Sequence, residues 1–365
     1  MNVARRLFLI VMLILPLASQ ASPAEAERIR KTWDLEMERW ILETRAATTP
    51  EARAAALERQ PDSVKAARDM WRQIGPALDK EWTLEHVAWF LRVAPGLFST
   101  RDDGARVQVY SDEVSAVIQA IETHHTRSRG LAPVCMALAA TADLRTLRLL
   151  ENILASHPET KVQGVAALAA AIILRSLGDD PELMRKRLNY LRKAIIDSSD
   201  VDLGGGTTVA NLAEDELYVI RFLTKGRVAP DLEGIDSAGR PIKLSDHAGR
   251  IVVLLFWSST MDEAERTIEM MAGAHRRFRD RPVVLLGVNH DPLARLRELE
   301  ADGSVPWRNF SDTSNQLAQA FRVGSWPLVY VLDGDRRIQY SGNPGSFADL
   351  TVEALLSETD TGGSE

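Results

Sequence analysis

The chain has 365 residues, of which 45% are hydrophobic and 26% are charged, so its composition is that of an ordinary folded protein and its length favours about two domains. Its formal charge is −7, with 44 Lys and Arg against 51 Asp and Glu, and it lacks the basic excess or basic stripe typical of nucleic-acid binders. The single cysteine excludes an intramolecular disulfide, a four-cysteine zinc site and a CxxC redox pair. We predict no metal site and no cofactor.

The first 21 residues have the three-part layout of a signal peptide. Arg5 and Arg6 precede an apolar run from Leu7 to Leu15, and small residues surround the predicted cleavage point at Ala21. The apolar run is shorter than the roughly 20 residues that cross a bilayer. The pattern therefore predicts cleavage near Ala21 and export to a bacterial periplasm. The alternative is an uncleaved segment, which would give the protein its one contact with a membrane.

Residues 22–225 have the pattern of a helical domain. From Ala24 to Leu223 the apolar residues recur at three and four positions, and proline and glycine interrupt the pattern at short intervals. We predict a bundle or a repeat-like stack, although no motif recurs at a fixed period. The loop at Gly204–Gly206 lacks the lysine and the preceding strand of a phosphate-binding P-loop, so we do not predict a phosphate site there.

Residues 226–357 change to short β-type runs that alternate with helices. The fold class that we predict is α followed by α/β: an all-helical N-terminal domain, then a C-terminal α/β sandwich, with residues 358–365 as a disordered tail. The predicted elements are a hairpin at Asp231–Leu244, strands at Ile251–Trp257, Val283–Asn289, Leu328–Asp333 and Arg337–Tyr340, and helices at 262–279, 293–302 and 316–322.

Two segments of this region carry a resemblance to a known family. They read VAPDLEGIDSAGRPIKLSDHAGRIVVLLFW at 228–257 and VGSWPLVYVLDGDRRIQYSG at 323–342. Together they resemble the bacterial exported thioredoxin-like domains of the TlpA/ResA and redoxin (AhpC/TSA) type. The resemblance implies that the C-terminal sandwich has a thioredoxin-like fold and that the family activity is thiol–disulfide or peroxide chemistry.

The cysteines that this chemistry needs are absent. In the family, a W-x-x-x-C-x-x-C segment follows the strand that ends in Phe-Trp, and the helix N-terminus stabilises the first cysteine as a thiolate. Aligned on Trp257 without a gap, Met261 and Ala264 occupy the two cysteine positions. A hydroxyl nucleophile such as Thr260 would need an adjacent base, and no histidine follows within ten positions. We therefore predict no catalytic residue.

The proline before the third strand is the second family feature. The resemblance implies that Pro327 follows a cis peptide bond and faces the turn after Trp257, so that a groove for an extended peptide remains. The binding residues that we predict are Trp257, Thr260, Ser325, Trp326 and Pro327. Buried aromatic packing is an equally good interpretation of the tryptophans.

Three functional hypotheses follow. The first is a non-catalytic module that binds a protein or an extended peptide in the thioredoxin-like groove. The second is an active redoxin-type thiol–disulfide or peroxide oxidoreductase in which Cys135 or a partner's thiol replaces the missing pair. The third is a structural helical scaffold. The apolar sequence around Cys135 favours a buried thiol that acts as a small hydrophobic side chain.

Overall fold

The structure, a computed structural model, describes residues 21–362 except 48, 102, 103, 142 and 262. The predicted signal peptide therefore lies outside the described residues, apart from Ala21. The chain divides into two compact units, residues 1–169 and 170–365, and the division falls within one helix. None of the helices in the described ranges is both long enough and apolar enough to cross a membrane.

The first unit is helical, as predicted. Several of its helices begin at capping residues: at the first helix, the Ser22 side chain accepts a hydrogen bond from the Glu25 N–H, with a proline at the next position. The helices are α1 (Pro23–Ala46), α2 (Pro50–Leu57), α3 (Ser63–Ile74), α4 (Leu84–Val93), α5 (Ser111–Ala120), α6 (Ala132–Ala139), α7 (Leu144–Ser156) and α8 (Thr160–Arg175), which continues into the second unit.

One hairpin qualifies the expectation of an all-helical region. Strands β1 (Phe98–Thr100) and β2 (Arg106–Gln108) pair antiparallel between α4 and α5. Each strand has three residues, most of them exposed, so neither one shows the alternation of apolar and polar residues that predicts a strand.

The second unit contains α9 (Pro181–Ser198) and α10 (Val209–Phe222) in addition to the C-terminal sheet. Side chains of α10 and of the residue after it, Tyr218, Val219, Phe222 and Leu223, pack in the same hydrophobic cluster as one face of that sheet. The predicted domain boundary at 225/226 coincides with the change in sequence pattern. The compact unit that contains the sheet begins before this boundary, because α10 packs with the sheet.

The C-terminal sheet has five strands in the order β7-β6-β5-β8-β9. The central strand β5 runs parallel to β6 and antiparallel to β8, and all of its residues are buried. The bounds are β5 (Ile251–Trp257), β6 (Val283–Asn289), β7 (Arg308–Ser311), β8 (Leu328–Leu332) and β9 (Ile338–Gly342), with the separate hairpin β3 (Glu233–Ile235) and β4 (Pro241–Lys243).

Helices cover both faces of this sheet, because successive side chains of a strand point to opposite faces. Val253, Leu255 and Trp257 of β5 face one core with side chains of α11, α12 and α14, while Leu254 and Phe256 face the other with α13 and the β3–β4 hairpin. The bounds are α11 (Ala264–Arg277), α12 (Leu293–Ala301), α13 (Gln316–Ala320) and α14 (Ser346–Gly362). The predicted α/β sandwich is therefore confirmed.

Two elements of the sandwich were not predicted, and the predicted disordered tail at 358–365 is wrong in part. Strand β7 is short and half polar, and it is recognisable only through its parallel pairing with β6. Helix α14 places Ala348, Val352 and Leu356 on the core at a spacing of four. No proline interrupts it, and it continues through Gly362, so residues 358–362 are helical and not a disordered tail. Residues 363–365 lie outside the described ranges.

Candidate functional site

The candidate site lies at one edge of the sheet, where three chain segments meet. Trp257, the last residue of β5, is paired with Asn289 at the end of β6, and Phe256 is paired with Leu328 at the start of antiparallel β8. The segments that follow β5, follow β6 and precede β8 are therefore brought to the same edge. These are residues 258–261, 290–291 and 325–327.

A buried carboxyl group holds the first segment in place. The Asp291 side chain is 2% exposed and accepts hydrogen bonds from Ser258 Oγ at 2.6 Å and from the Ser259 N–H at 3.0 and 2.9 Å. Its Oδ2 also accepts from Asn289 Nδ2 at 2.9 Å. Thr260 Oγ1 lies 2.8 Å from Ser258 Oγ, which extends the network to the surface. The turn after β5 thus carries the hydroxyl groups of Ser258 and Thr260 and no thiol.

Met261 and Ala264, which occupy the two cysteine positions of the family, lie together at the beginning of α11. Ala264 is the first residue of the helix, and its N–H donates to the Met261 carbonyl at 3.3 Å. The Met261 side chain is half-buried against the hydrophobic cluster of α11 and β5. Glu263, between them, has a φ of 54° and forms the left-handed entry to the helix. A thioether and a methyl group carry no ionisable proton, so this turn cannot form a thiolate.

The predicted binding residues near the proline lie at the surface. Thr260 and Ser325 are exposed, Trp326 and Pro327 are half-buried, and the Trp326–Pro327 peptide bond is cis. The exposed His290 ring stacks on the Trp326 indole, with centroids 6.0 Å apart and planes at 28°. We call the surface of Thr260, His290, Ser325, Trp326 and Pro327 the turn surface.

Trp257 does not belong to this surface, which corrects the expectation that it lines the groove. It is fully buried, and its indole N–H donates to Asn309 Oδ1 at 3.0 Å, as does the buried Trp307 at the same distance. Gly287 leaves room for this contact, since a Cβ there would lie 1.8 Å from Asn309 Oδ1. The side chain of Trp257 points into the core for the same reason that Val253 and Leu255 do: it is two positions further along the same strand.

Sequence reasoning missed His290 and Asp291 as members of the site. The available signal was the polar pair His290-Asp291 directly after the buried strand that ends at Asn289. The end of a strand in an open α/β sheet is where ligand contacts concentrate, so this position favoured the site.

The single cysteine lies in the first unit, on α6. Cys135 is completely buried, and this burial raises the pKa of its thiol to about 12. The thiol is therefore protonated near neutral pH, which weakens the hypothesis that Cys135 supplies the attacking thiolate. In the part of the chain that the structure describes, no group of three or more His, Cys, Asp or Glu side chains is arranged to hold a metal ion.

Comparison with known proteins gives a family for the C-terminal region. The model of the AhpC/TSA family matches residues 225–341. Peroxiredoxin Bcp of Bacillus subtilis (strain 168) is 31% identical over 150 residues, which cover 37% of this chain and 94% of that protein. The chain belongs to the AhpC/TSA family.

Two further proteins are similar to this chain at lower identity. The thiol-disulfide oxidoreductase ResA of Geobacillus thermodenitrificans (strain NG80-2) is 24% identical over 157 residues, or 43% of this chain and 88% of that protein. The thioredoxin domain of a thiol-disulfide oxidoreductase from Bacteroides vulgatus is 20% identical, with a TM-score of 0.34, and the match covers 36% of this chain and 98% of that one. Within its own AhpC/TSA domain, residues 225–341, this chain has no cysteine.

Proposed function

We propose that the AhpC/TSA domain is redox-inactive and binds an extended segment of a protein or peptide at the turn surface. The observation that carries the proposal is the turn after β5, where Met261 and Ala264 stand at the thiol positions and Asp291 holds a ring of hydroxyl and amide donors. A disulfide exchange reaction needs an attacking thiolate, and this turn supplies none.

The groups that remain at the turn surface suit peptide recognition. Extended peptides are bound through main-chain hydrogen bonds at exposed backbone, with side-chain pockets that add specificity. Exposed Ser325 lies shortly before β8, and the stacked pair of Trp326 and His290 adds a rigid aromatic surface with polar ring atoms. Aromatic side chains of this kind are enriched in protein interfaces, because they bury a large area at a small entropic cost.

The proposal includes export. Its support is the sequence of residues 1–21, with Arg5 and Arg6 before a short apolar run and small residues near Ala21. Expression in a bacterium followed by fractionation and N-terminal sequencing tests this part. A periplasmic protein that begins at residue 22 supports it, whereas a cytoplasmic protein that retains Met1 contradicts it.

The redox part is tested by turnover. Purified full-length protein should reduce neither insulin disulfides nor a hydroperoxide above the rate of the Cys135→Ser variant. Turnover by the wild type that Cys135→Ser abolishes would overturn the proposal and favour the oxidoreductase alternative.

The binding part is tested with a displayed library of random nonapeptides. Peptides selected on the wild type should bind the Thr260→Arg variant more weakly and the Thr260→Ser variant equally well, because serine keeps the hydroxyl group while arginine obstructs the exposed surface. Equal binding by all three proteins would place the interaction elsewhere. A helical scaffold would instead keep its partners in the full-length Thr260→Arg variant, which separates the two functions without truncating the chain.

A further inference from the structure

A cavity of about 460 Å³ lies in the second unit, and one of its lining residues, Gly324, is the chain neighbour of Ser325 in the turn surface. Its apolar walls come from α8, from α10 and from the residues that lead to Pro327, and Gln319 and Gly324 also line it. The four apolar side chains are Ile172, Leu212, Val219 and Val323. A cavity of this volume is within the range of pockets that bind small molecules.

The charged side chains that line the cavity are paired with one another. Arg175 Nη1 lies 2.7 Å from Glu216 Oε1, and Arg322 Nε lies 2.5 Å from Asp215 Oδ1. The fully buried Arg187 adds a second contact to Glu216, at 3.2 Å. A charged ligand would have to compete with these ion pairs and would itself lose hydration. The lining therefore favours a neutral, apolar occupant.

The cavity is continuous with the turn surface along the chain. Gly324 lines it, and the next three residues, Ser325–Pro327, belong to the turn surface. Val323 and Trp326 pack against the same core cluster. An extended peptide advances about 3.3 Å per residue. A peptide that contacts Ser325 thus reaches the cavity within a few residues.

We infer that this cavity takes a neutral apolar side chain, such as that of leucine, from the peptide that the turn surface binds. The inference rests on the proposed function and adds its specificity: the helices at residues 170–222 contribute one wall of the binding site, so they take part in partner selection. The AhpC/TSA domain alone would then bind with lower selectivity than the whole second unit.

The test uses the full-length protein and the displayed nonapeptide library described above. Peptides selected on the wild type should share an apolar residue at one position, and replacement of that residue by alanine should weaken binding by about tenfold, as expected for loss of a largely buried leucine side chain. Two variants narrow the cavity. Gly324→Leu adds a side chain where a Cβ meets no atom within 4 Å, and Leu212→Trp enlarges an apolar wall. Gly96→Leu, at a glycine of the first unit with equally open surroundings, is the matched control.

The outcomes separate the two proposals. Both narrowing variants should lose about tenfold in affinity for the selected peptide and little for its alanine version, while Gly96→Leu binds both like the wild type. If selected peptides depend on Thr260 but share no apolar residue, or if the narrowing variants bind them unchanged, the cavity inference is overturned and the turn surface stands. If selection yields no peptide that depends on Thr260, the proposed function falls, and the inference falls with it.

Discussion

Asp291→Ala removes the acceptor on which the turn surface depends. Three donors lose their partner: Ser258 Oγ, the Ser259 N–H and Asn289 Nδ2. The Ser258 hydroxyl can still donate to Thr260, which is 2.8 Å away. The other two donors remain, and a buried donor without an acceptor costs roughly 1–3 kcal/mol. We therefore expect the free energy of unfolding of the second unit to fall by about 2–6 kcal/mol, and Asp291→Asn, which keeps one carbonyl oxygen, to lose less.

Tryptophan fluorescence monitors unfolding in urea, and hydrogen exchange is measured at the Ser259 amide. Asp236→Ala is the matched control, because Asp236 is equally buried and accepts hydrogen bonds from the Ala238 and Arg240 N–H groups, in the β3–β4 turn. Both variants should lose stability, but Asp291→Ala alone should also speed exchange at Ser259 and weaken the selected peptide. The reasoning is refuted if Asp291→Ala leaves the Ser259 amide as protected as in the wild type.

Three further predictions concern packing, pH and chemistry. Gly287→Ala should lower the free energy of unfolding by roughly 2–5 kcal/mol in urea titrations, because its Cβ displaces the Asn309 amide that accepts from two buried indoles. Burial raises the pKa of the Cys135 thiol to about 12 in the folded protein, against roughly 8.5 in the unfolded chain. The buried, protonated thiol therefore stabilises the fold fully below pH 8.5, and this stabilisation is lost as the pH rises towards 12. Between pH 7.5 and 10 the free energy of unfolding of the wild type should fall by about 2 kcal/mol more than that of Cys135→Ala, and equal falls in the two proteins would contradict the burial. The double variant Met261→Cys, Ala264→Cys should gain insulin reductase activity, since the N-terminus of α11 stabilises a thiolate. A pKa at or above about 8.5 for the new thiol at position 261 would contradict this stabilisation.

The sequence predicted the central strands best. Continuous apolar runs such as Ile251–Trp257 and Val283–Asn289 match β5 and β6 residue for residue, because strands buried on both faces need no polar positions. An edge strand such as Arg308–Ser311 carries polar residues and depends on its neighbour for hydrogen bonds, so its own sequence has no strand signal. Local pattern is therefore informative where burial is complete, and it fails where pairing with another strand decides the structure.

The site was predictable only in part. The positions of Met261 and Ala264 followed from one landmark, Trp257, and a helix that begins shortly after it. Asp291 lies 33 residues from Ser258, so its place after β6 indicates the site, but no local pattern indicates that it binds the turn after β5. The same limit explains Trp257: as a motif residue it was assigned to the groove, although alternation along β5 places it in the core with Leu255.

The position of α10 shows why a change in sequence pattern does not define a folding unit. The helical periodicity of residues 209–222 assigned them to the N-terminal domain, yet Tyr218, Val219 and Phe222 pack on the face of the sheet that contains Phe256. Leu223 is 1% exposed in the same cluster. A fragment that begins at residue 226 would expose this face to water at roughly 25 cal/mol for each Å² of apolar surface. Periodicity reports which element a segment forms, whereas the surface that its apolar side chains cover decides the domain to which it belongs.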